Sequence, residues 1–159
     1  MRNAFQEELD SIHDTLVKMG KLVEESMSEA TKSLLQPNLE IAEKIIKQDD
    51  VIDDMQHELD ARTMMIIARQ SPVAGDLRTL VTSLRMSADL ERMGDMAHHI
   101  AKLARMRYPN KAVPEELIEI ITNMDRVAVS IIKKTTQSID TRNTTLALQL
   151  EIDDDEIDK

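Results

Sequence analysis

The chain has no cysteine and no tryptophan, and its 159 residues include one phenylalanine, one tyrosine, three glycines and four prolines. Without cysteine the chain can form neither a disulfide framework nor a thiolate metal site. Its longest apolar run, residues 64–68, is much shorter than the ~20 residues of a membrane-spanning helix. The sequence also opens without the apolar stretch of a secretory signal. These absences predict a cytosolic protein.

Charge of one sign dominates what is present. The 30 acidic and 20 basic side chains give a formal net charge of −10. A chain this acidic repels nucleic acid unless it carries a concentrated basic face, so nucleic acid is not an expected partner. Because 42% of the residues are apolar, the chain can bury a core, which excludes intrinsic disorder.

The apolar residues are mostly Leu, Ile, Met and Ala, which favour helices, whereas the aromatic and glycine residues typical of sheets are scarce. Proline-containing breaks and a polar cluster at 140–144 divide the chain. We predict an all-α fold of long antiparallel helices at about 3–35, 38–70, 72–107 and 114–140, with a further helix from about 144. Ser71 and Pro72 read as the N-cap and first residue of the third helix.

Apolar residues recur every three or four positions between these breaks, which is the pattern of amphipathic helices. In the first helix the predicted core stripe comprises Leu9, Ile12, Leu16, Met19, Val23 and Met27. In the second helix Gln48 occupies one position of the stripe. In the third helix the stripe begins with Leu77, Val81, Leu84 and Ala88, and Glu91 and Asp95 continue it. A second apolar arc then lies on the opposite side of that helix: Leu90, Met93, Ala97, Ile100 and Ala104.

An internal repeat appears when the sequence is shifted by 105 positions. Helical positions then coincide: Leu16 with Ile121, Met19 with Met124, Met27 with Ile132, Leu34 with Ile139, Asn38 with Asn143 and Ala42 with Ala147. The acidic segment 49–53 falls on 154–158. Composition alone allows 151–159 to be a solvated acidic tail, but the shared register favours an interrupted helix. We therefore predict a complete three-helix repeat at 1–108 and a partial second repeat at 113–159.

In each of two helices, two carboxylates are spaced four residues apart, which places both members of the pair on one face of their helix. Asp49 and Asp53 lie in the second helix, and Glu91 and Asp95 lie in the third. Like charges at this spacing repel, and a multivalent cation removes that repulsion. Because the two helices are antiparallel neighbours, four carboxylates could converge on one metal site. Such pairs are also common on solvated faces. Gly94, inside the third helix, indicates close approach of a backbone or ligand.

Histidines bear on a catalytic alternative, because carboxylate-bridged di-metal enzymes use Glu-x-x-His on core-facing helices. The nearest strings here are Asp54-Met55-Gln56-His57 and Asp95-Met96-Ala97-His98. Asp54 and His57 project away from the Asp49 pair. His99 lies close in phase to Asp95 and is a candidate additional ligand, whereas His13 and His98 read as surface positions. No catalytic triad or phosphate-binding glycine loop is present, so we do not expect an enzyme.

Arg78, Arg85 and Arg92 are spaced by seven residues and form a basic line along the third helix. One interpretation is a solvated surface balanced by neighbouring acids such as Asp76 and Asp89. The other is a docking strip for an acidic partner or for phosphate, which the forked arginine donors suit.

Two motifs carry a family resemblance. Residues 68–78 read Ala-Arg-Gln-Ser-Pro-Val-Ala-Gly-Asp-Leu-Arg, and residues 88–97 read Ala-Asp-Leu-Glu-Arg-Met-Gly-Asp-Met-Ala. These segments resemble the PhoU family of phosphate-signalling proteins, whose hallmarks are Arg-Gln-x-Pro-x-x-x-Asp-Leu-Arg and Glu-Arg-Ile/Met-Gly-Asp. The opening Phe5-x-x-Glu-Leu and the pair Met19-Gly20 also match, so the resemblance covers the whole chain.

The resemblance implies two three-helix repeats that hold multinuclear iron or zinc through Glu/Asp-x-x-x-Asp motifs. Carried over to this sequence, these ligands are Asp49, Asp53, Glu91 and Asp95, and Asp154 and Asp158 would begin a second site. The helix that should carry the second Glu-Arg-x-Gly-Asp motif is missing. We therefore expect the full protein to be about 60 residues longer, and the fourth and fifth helices to expose apolar faces.

The resemblance also implies a cytosolic regulator that restrains phosphate uptake and phosphate-starvation signalling. The implied partners are the ATPase subunit of the phosphate ABC importer, a sensor histidine kinase and a second copy in a homodimer, with the membrane reached only through partners. A di-metal enzyme and a purely structural helical module stay as alternatives.

Overall fold

The computed structural model describes the backbone of residues 2–157 and the side chains of residues 4–150. These residues form five α-helices and one 3₁₀ turn, and no described residue lies in a strand. The helices are α1 (Arg2–Leu35), α2 (Leu39–Gln70), α3 (Ala74–Arg107), α4 (Ile118–Thr141) and α5 (Thr144–Ile157), and the 3₁₀ turn is Glu115–Leu117. The all-α prediction is confirmed. The first three helices begin within two residues of their predicted positions, and all three end where predicted.

The first three helices pack mutually into an antiparallel bundle. The stripe predicted for α1 supplies its core, since Ile12, Leu16, Met19 and Val23 are each at most 3% exposed. Gln48 occupies its predicted core position in α2, where its side-chain amide donates to the Ser26 hydroxyl at 3.0 Å. This polar contact between partly buried side chains links α2 to α1 and satisfies the amide where the stripe enters the core.

The connection from α2 to α3 differs from its prediction. Ser71 has φ 45° and ψ 53°, and its N–H donates to the Ile67 carbonyl at 3.1 Å. It therefore ends α2 as a left-handed cap and does not begin the next helix. Residues 72 and 73 are extended or irregular, and α3 begins only at Ala74, after Val73 as its N-cap residue. The predicted N-cap role of Ser71 is wrong.

The face of α3 that enters the core also differs from its prediction. Leu77 and Val81 are each 37% exposed, and Ala88 is exposed. The buried residues are Leu80, Ser83, Ser87, Leu90, Gly94, Ala97, Ala101 and Ala104. Most of these are small, so α3 approaches its neighbours closely. The stripe predicted for the first half of α3 is therefore wrong except at Leu84, which packs against the core, whereas the arc on the opposite side supplies the buried Leu90, Ala97 and Ala104.

Helix α4 lies antiparallel on α1 and extends the core of the bundle, with Ile132 buried among α1 residues. At the crossing, a β-carbon added to Gly20 would stand 2.3 Å from Oγ1 of Thr136. Further along, Asp125 of α4 is hydrogen-bonded by Thr31 of α1. Gly20 and Asp125 are 105 positions apart, as are Thr31 and Thr136. The two contacts are therefore related by the internal repeat, which gives the α1–α4 pair an approximate two-fold symmetry.

The repeat is visible again where the second helix of each unit begins. Asn38 caps α2 by accepting from the Ile41 N–H at 3.0 Å. Asn143, 105 positions later, accepts from the Leu146 N–H at 3.3 Å and from the Thr145 N–H at 2.9 Å. Helix α5 then packs against α4. As expected, this region exposes large apolar side chains: Leu117, Ile120, Met124 and Leu148 are 42–69% exposed. None of the described helices is apolar over a length sufficient to cross a bilayer.

Candidate metal centre

The packing of α2 on α3 brings the two predicted carboxylate pairs to one place. At the centre of the contact Gly94 faces Ile52: a β-carbon on this glycine would lie 3.0 Å from Cδ1 of Ile52 and 3.8 Å from Oδ1 of Asp49. The glycine thus provides the close approach that the sequence indicated. Asp53 directly follows Ile52, Asp95 directly follows Gly94, and Glu91 lies about one helical turn before Gly94.

Asp49 is the most enclosed member of the group. It is only 8% exposed, and its Oδ1 atom is buried without a hydrogen-bond partner among the described residues. Burial is the main cause that raises the pKa of its carboxyl group above the usual range, and the charges of Asp53 and Asp95 add to the increase. Contact with His98 lowers the pKa of Asp49 and so opposes this increase. The Oδ1 atom of Asp53 is likewise buried and unpaired within the described part of the chain.

Glu91 interacts with the three other carboxylates. Burial raises the pKa of Glu91, and the neighbouring Asp53, Asp95 and Asp49 charges raise it further. Its side chain is also within hydrogen-bonding reach of Asp53. The four residues singled out from the sequence therefore form one electrostatically coupled cluster in the structure.

His98 joins this cluster, which the sequence interpretation missed. Its side chain is 14% exposed, and its Nδ1 atom lies against Oδ2 of Asp49 as an ion-pair contact. Its Nε2 atom is buried and has no hydrogen-bond partner among the described side chains. The prediction of a surface position for His98 is therefore wrong. Its signal was present: Glu91, Asp95 and His98 follow the spacing i, i+4, i+7, which places all three on one face of α3.

His99, the candidate ligand predicted from the sequence, points elsewhere. Its side chain is 67% exposed, and its Nδ1 atom is 3.8 Å from Oδ1 of Asp95, too far for a hydrogen bond. His57 projects away from the cluster as predicted, with its ring nitrogen 2.9 Å from the backbone oxygen of Asp53.

The chemistry of the donor set suits a metal. Carboxylate oxygens with one imidazole are ligands that iron and zinc accept, and buried unpaired oxygen atoms are normally satisfied by an ion, water or protein partner. Among the described residues, Asp49 Oδ1 and Asp53 Oδ1 are such oxygen atoms, and His98 Nε2 is a buried unpaired nitrogen beside them. Within the described residues no three of these side chains are already grouped in ligand geometry. The side chains therefore fit the metal chemically but would have to turn toward it.

The other residues singled out from the sequence lie apart from this cluster. Asp154 belongs to the backbone of α5 but lies beyond the described side chains, and Asp158 lies outside the described residues. Arg78, Arg85 and Arg92 are all exposed along α3. Only Arg78 lines a described cavity, between α1, α3 and the end of α4.

Comparison with known proteins gives consistent matches. Residues 16–104, which contain the whole carboxylate cluster and His98, match the model of the PhoU domain family. The chain is 36% identical over 158 residues to the phosphate-specific transport system accessory protein PhoU homolog 2 of Mycobacterium tuberculosis, covering 99% of this chain and 74% of the relative. It is 35% identical to the PhoU homolog of Clostridium acetobutylicum, covering 71% of that protein.

A solved structure extends the match to three dimensions. The phosphate transport system regulatory protein PhoU from Streptococcus pneumoniae superimposes with a TM-score of 0.84 and 27% sequence identity. The match covers 97% of this chain and 72% of that protein. The alignment therefore includes α4 and the start of the second repeat as well as the first bundle. By sequence and by fold, the chain belongs to the PhoU family.

Proposed function

We propose that this chain is an accessory regulator of phosphate transport, and that it acts in the cytosol as a metal-dependent adaptor and not as an enzyme. Its relatives are named as accessory or regulatory proteins of phosphate transport systems. The observation that carries the proposal is the coupled cluster of Asp49, Asp53, Glu91 and Asp95 within the family-matched region. As a regulator, the protein restrains phosphate uptake and starvation signalling when phosphate is plentiful.

In this proposal Asp49 and Asp53 of α2, with Glu91 and Asp95 of α3, hold iron or zinc in a multinuclear site. The bound metal would supply positive charge that cancels the carboxylate repulsion and ties the two helices together. Asp49 is enclosed, whereas the Asp95 side chain is 49% exposed. The site is therefore open on one side, where a partner can sense its occupancy.

The proposed partners are the ATPase subunit of the phosphate importer and a sensor histidine kinase, with a homodimer as the working unit. Net charge of −10 and exposed apolar residues on α4 and α5 support protein partners over nucleic acid. Pulldown of each purified partner, with and without metal, tests this part. Binding to neither partner under both conditions contradicts it.

Metal analysis of purified variants tests the site. The purified protein is loaded separately with iron and zinc, desalted, and its bound metal counted by mass spectrometry. We expect Asp49→Asn and Glu91→Gln each to remove most of the bound metal, because each deletes a charged ligand without changing side-chain size. Asp54→Asn and Asp89→Asn, at exposed positions of the same two helices, are the matched controls. Metal content equal to wild type in both site variants would exclude the site.

A di-metal enzyme is the second candidate, because His98 completes an Asp95-x-x-His98 string that faces the carboxylate cluster. Carboxylate-bridged di-metal enzymes combine acids with histidine in this way. Oxidative turnover by the aerobic iron-loaded protein, abolished in His98→Ala, would favour catalysis. Metal binding without turnover favours the regulator.

A further inference from the structure

A cavity of about 460 Å³ lies at the junction of the two repeats, and none of its lining residues belongs to the carboxylate cluster. Residues of α1 form its floor, and residues of α3 and of the end of α4 form its two walls. Helix α1 packs against both walls, whereas α3 and α4 do not pack against each other within the described residues. We call this space the junction groove. Its volume is in the range of small-molecule sites.

The floor of the junction groove is apolar. Leu9, Ile12 and Leu16 of α1 contribute to it, with Met86 of α3 and Ile139 of α4 at the sides. Ile12 and Leu16 are buried parts of the core, so the floor is a rigid surface. It can accept the flat or aliphatic body of an organic molecule.

The walls carry two basic groups, although the chain as a whole has a net charge of −10. Arg78 stands on α3 and Arg142 follows the last turn of α4. Arg78 makes no ion pair with any described residue. Arg142 is held in a left-handed cap with φ 53°, and its guanidinium is 3.8 Å from the Asp10 carboxylate, with both side chains mostly exposed. Neither guanidinium is therefore committed to a strong buried pair.

The remaining polar lining selects further features of a ligand. The hydroxyls of Ser83 and Ser138 donate to backbone carbonyls at 2.9 and 3.0 Å, so they offer only acceptor lone pairs to the groove. The Asp76 carboxylate on the α3 wall is a further acceptor, and His13 lies on the α1 side. Acceptors of this kind suit hydroxyl or amino donors on the ligand, while the two arginines suit an anion.

We propose that the junction groove binds a phosphorylated small organic molecule of about nucleotide size. Arg78 and Arg142 hold its phosphate, since guanidinium donors match phosphate oxygens. Its organic part packs on the apolar floor and donates hydrogen bonds to the acceptors above. Such a ligand bridges α3 and α4, which otherwise do not touch within the described chain, and so couples the first bundle to α4 and α5. The site is separate from the metal cluster.

Titration with adenosine 5′-monophosphate tests the proposal, with adenosine and inorganic phosphate as its two halves. Binding to the full chain is followed by calorimetry and by amide chemical shifts. We expect the nucleotide to bind at least about tenfold more tightly than either half, with shifts confined to α1, α3 and the end of α4. Arg78→Gln and Arg142→Gln should each weaken binding about tenfold.

Arg85→Gln is the matched control, because Arg85 is exposed on the same helix but does not line the groove. It should bind the nucleotide as wild type does. Absence of nucleotide binding to the folded wild-type protein would overturn the proposal. So would equal affinity for adenosine and the nucleotide, or equal loss of affinity in Arg78→Gln and Arg85→Gln. None of these results depends on whether the metal site exists.

Discussion

Gly20 is the position at which the packing most clearly requires a residue without a side chain. A β-carbon at this position would meet Thr136 Oγ1 at 2.3 Å and Cγ2 at 3.0 Å, and the Thr136 hydroxyl is held by its bond to the Ile132 carbonyl. We expect Gly20→Ala to lower the free energy of unfolding by about 1–3 kcal/mol through overpacking. Urea unfolding followed by circular dichroism measures the change.

The same contact supplies two controls. Adding Thr136→Ala to Gly20→Ala removes the two closest atoms, Oγ1 and Cγ2, and leaves only Cβ at 3.1 Å, so the double variant should recover most of the lost stability. A β-carbon added to Gly75 would have no neighbour within 4 Å, and the φ of Gly75 is not positive. Gly75→Ala should therefore be neutral or stabilising by about 0.5 kcal/mol. A double variant no more stable than Gly20→Ala alone would show that the α1–α4 crossing is not the cause.

Asp125 gives the stability of the protein a defined dependence on pH. Burial raises the pKa of its carboxyl group despite the hydrogen bond from Thr31, and its Oδ1 atom is buried without a partner among the described residues. The folded-state pKa therefore lies above the unfolded one, and folding is penalised as pH rises through this interval and the group ionises. Below the ordinary aspartate range both states are protonated and the penalty disappears.

We therefore expect Asp125→Asn to be more stable than wild type at neutral pH and equal to it in acid. Unfolding free energies measured across the acidic range check the sign. Asp14→Asn, an exposed carboxylate of α1, should show no such difference. An advantage of Asp125→Asn that persisted unchanged in acid would contradict the burial argument.

At the residue level the sequence identified the four carboxylates but not His98. Carboxylate pairs stand out because like charges four residues apart are unfavourable, whereas one histidine on a helix has no such mark. His98 lies on the same stripe as Glu91 and Asp95, three residues after Asp95, but nothing in the sequence shows that Asp49 of α2 faces it. The core face in the first half of α3 was missed for a different reason: Ser83 and Ser87 line it, and a search for large apolar side chains passes over such small residues.

At the level of elements, the helix spans followed from the sequence because breaks and apolar periods are local properties. The exact end of each helix depended on which backbone N–H group formed a hydrogen bond with a carbonyl. Ser71 ends α2 because its N–H reaches the Ile67 carbonyl, and no sequence rule ranks that bond above an N-cap role for Ser71. The two asparagine caps, in contrast, were visible as equivalent positions of the repeat.

Those caps are equivalent in geometry but should differ in their effect on stability. Helix α2 packs against α1 and α3, while within the described part of the chain α5 packs against α4 alone. Asn38→Ala should therefore lower the global free energy of unfolding by about 1 kcal/mol. Asn143→Ala should leave the global transition nearly unchanged and speed amide exchange in α5, because only that helix loses its cap.

Hydrogen exchange read by mass spectrometry, together with urea unfolding, separates the two effects. Thr145→Ala is a control, since its backbone N–H still donates to Asn143 after the side chain is shortened. Equal losses of global stability in Asn38→Ala and Asn143→Ala would mean that α5 unfolds together with the bundle.

For the whole molecule, the repeat explains why α1 and α4 are the central pair. Each is the first helix of its unit, and the approximate two-fold relation pairs Gly20 with Thr136 as it pairs Asp125 with Thr31. The sequence placed a boundary at 108–113, where the first repeat ends. In the structure the core crosses that boundary: Ile132 belongs to the larger cluster and Val113 to the smaller one.

A fragment of residues 1–110 should therefore not behave as an independent domain. It lacks Val113 and Ile132, and loss of even one buried aliphatic side chain removes about 2–5 kcal/mol from proteins whose total stability is about 5–15 kcal/mol. It also exposes the side of α1 that α4 covers. We expect the fragment to stay partly helical, to unfold without cooperativity and to self-associate, as judged by circular dichroism and light scattering.

Ile132→Ala in the full chain should lower stability by about 2–4 kcal/mol while leaving cooperativity intact. A monomeric fragment that unfolds cooperatively, with stability within about 1 kcal/mol of the full chain, would establish the first repeat as autonomous and α4 as an addition to it.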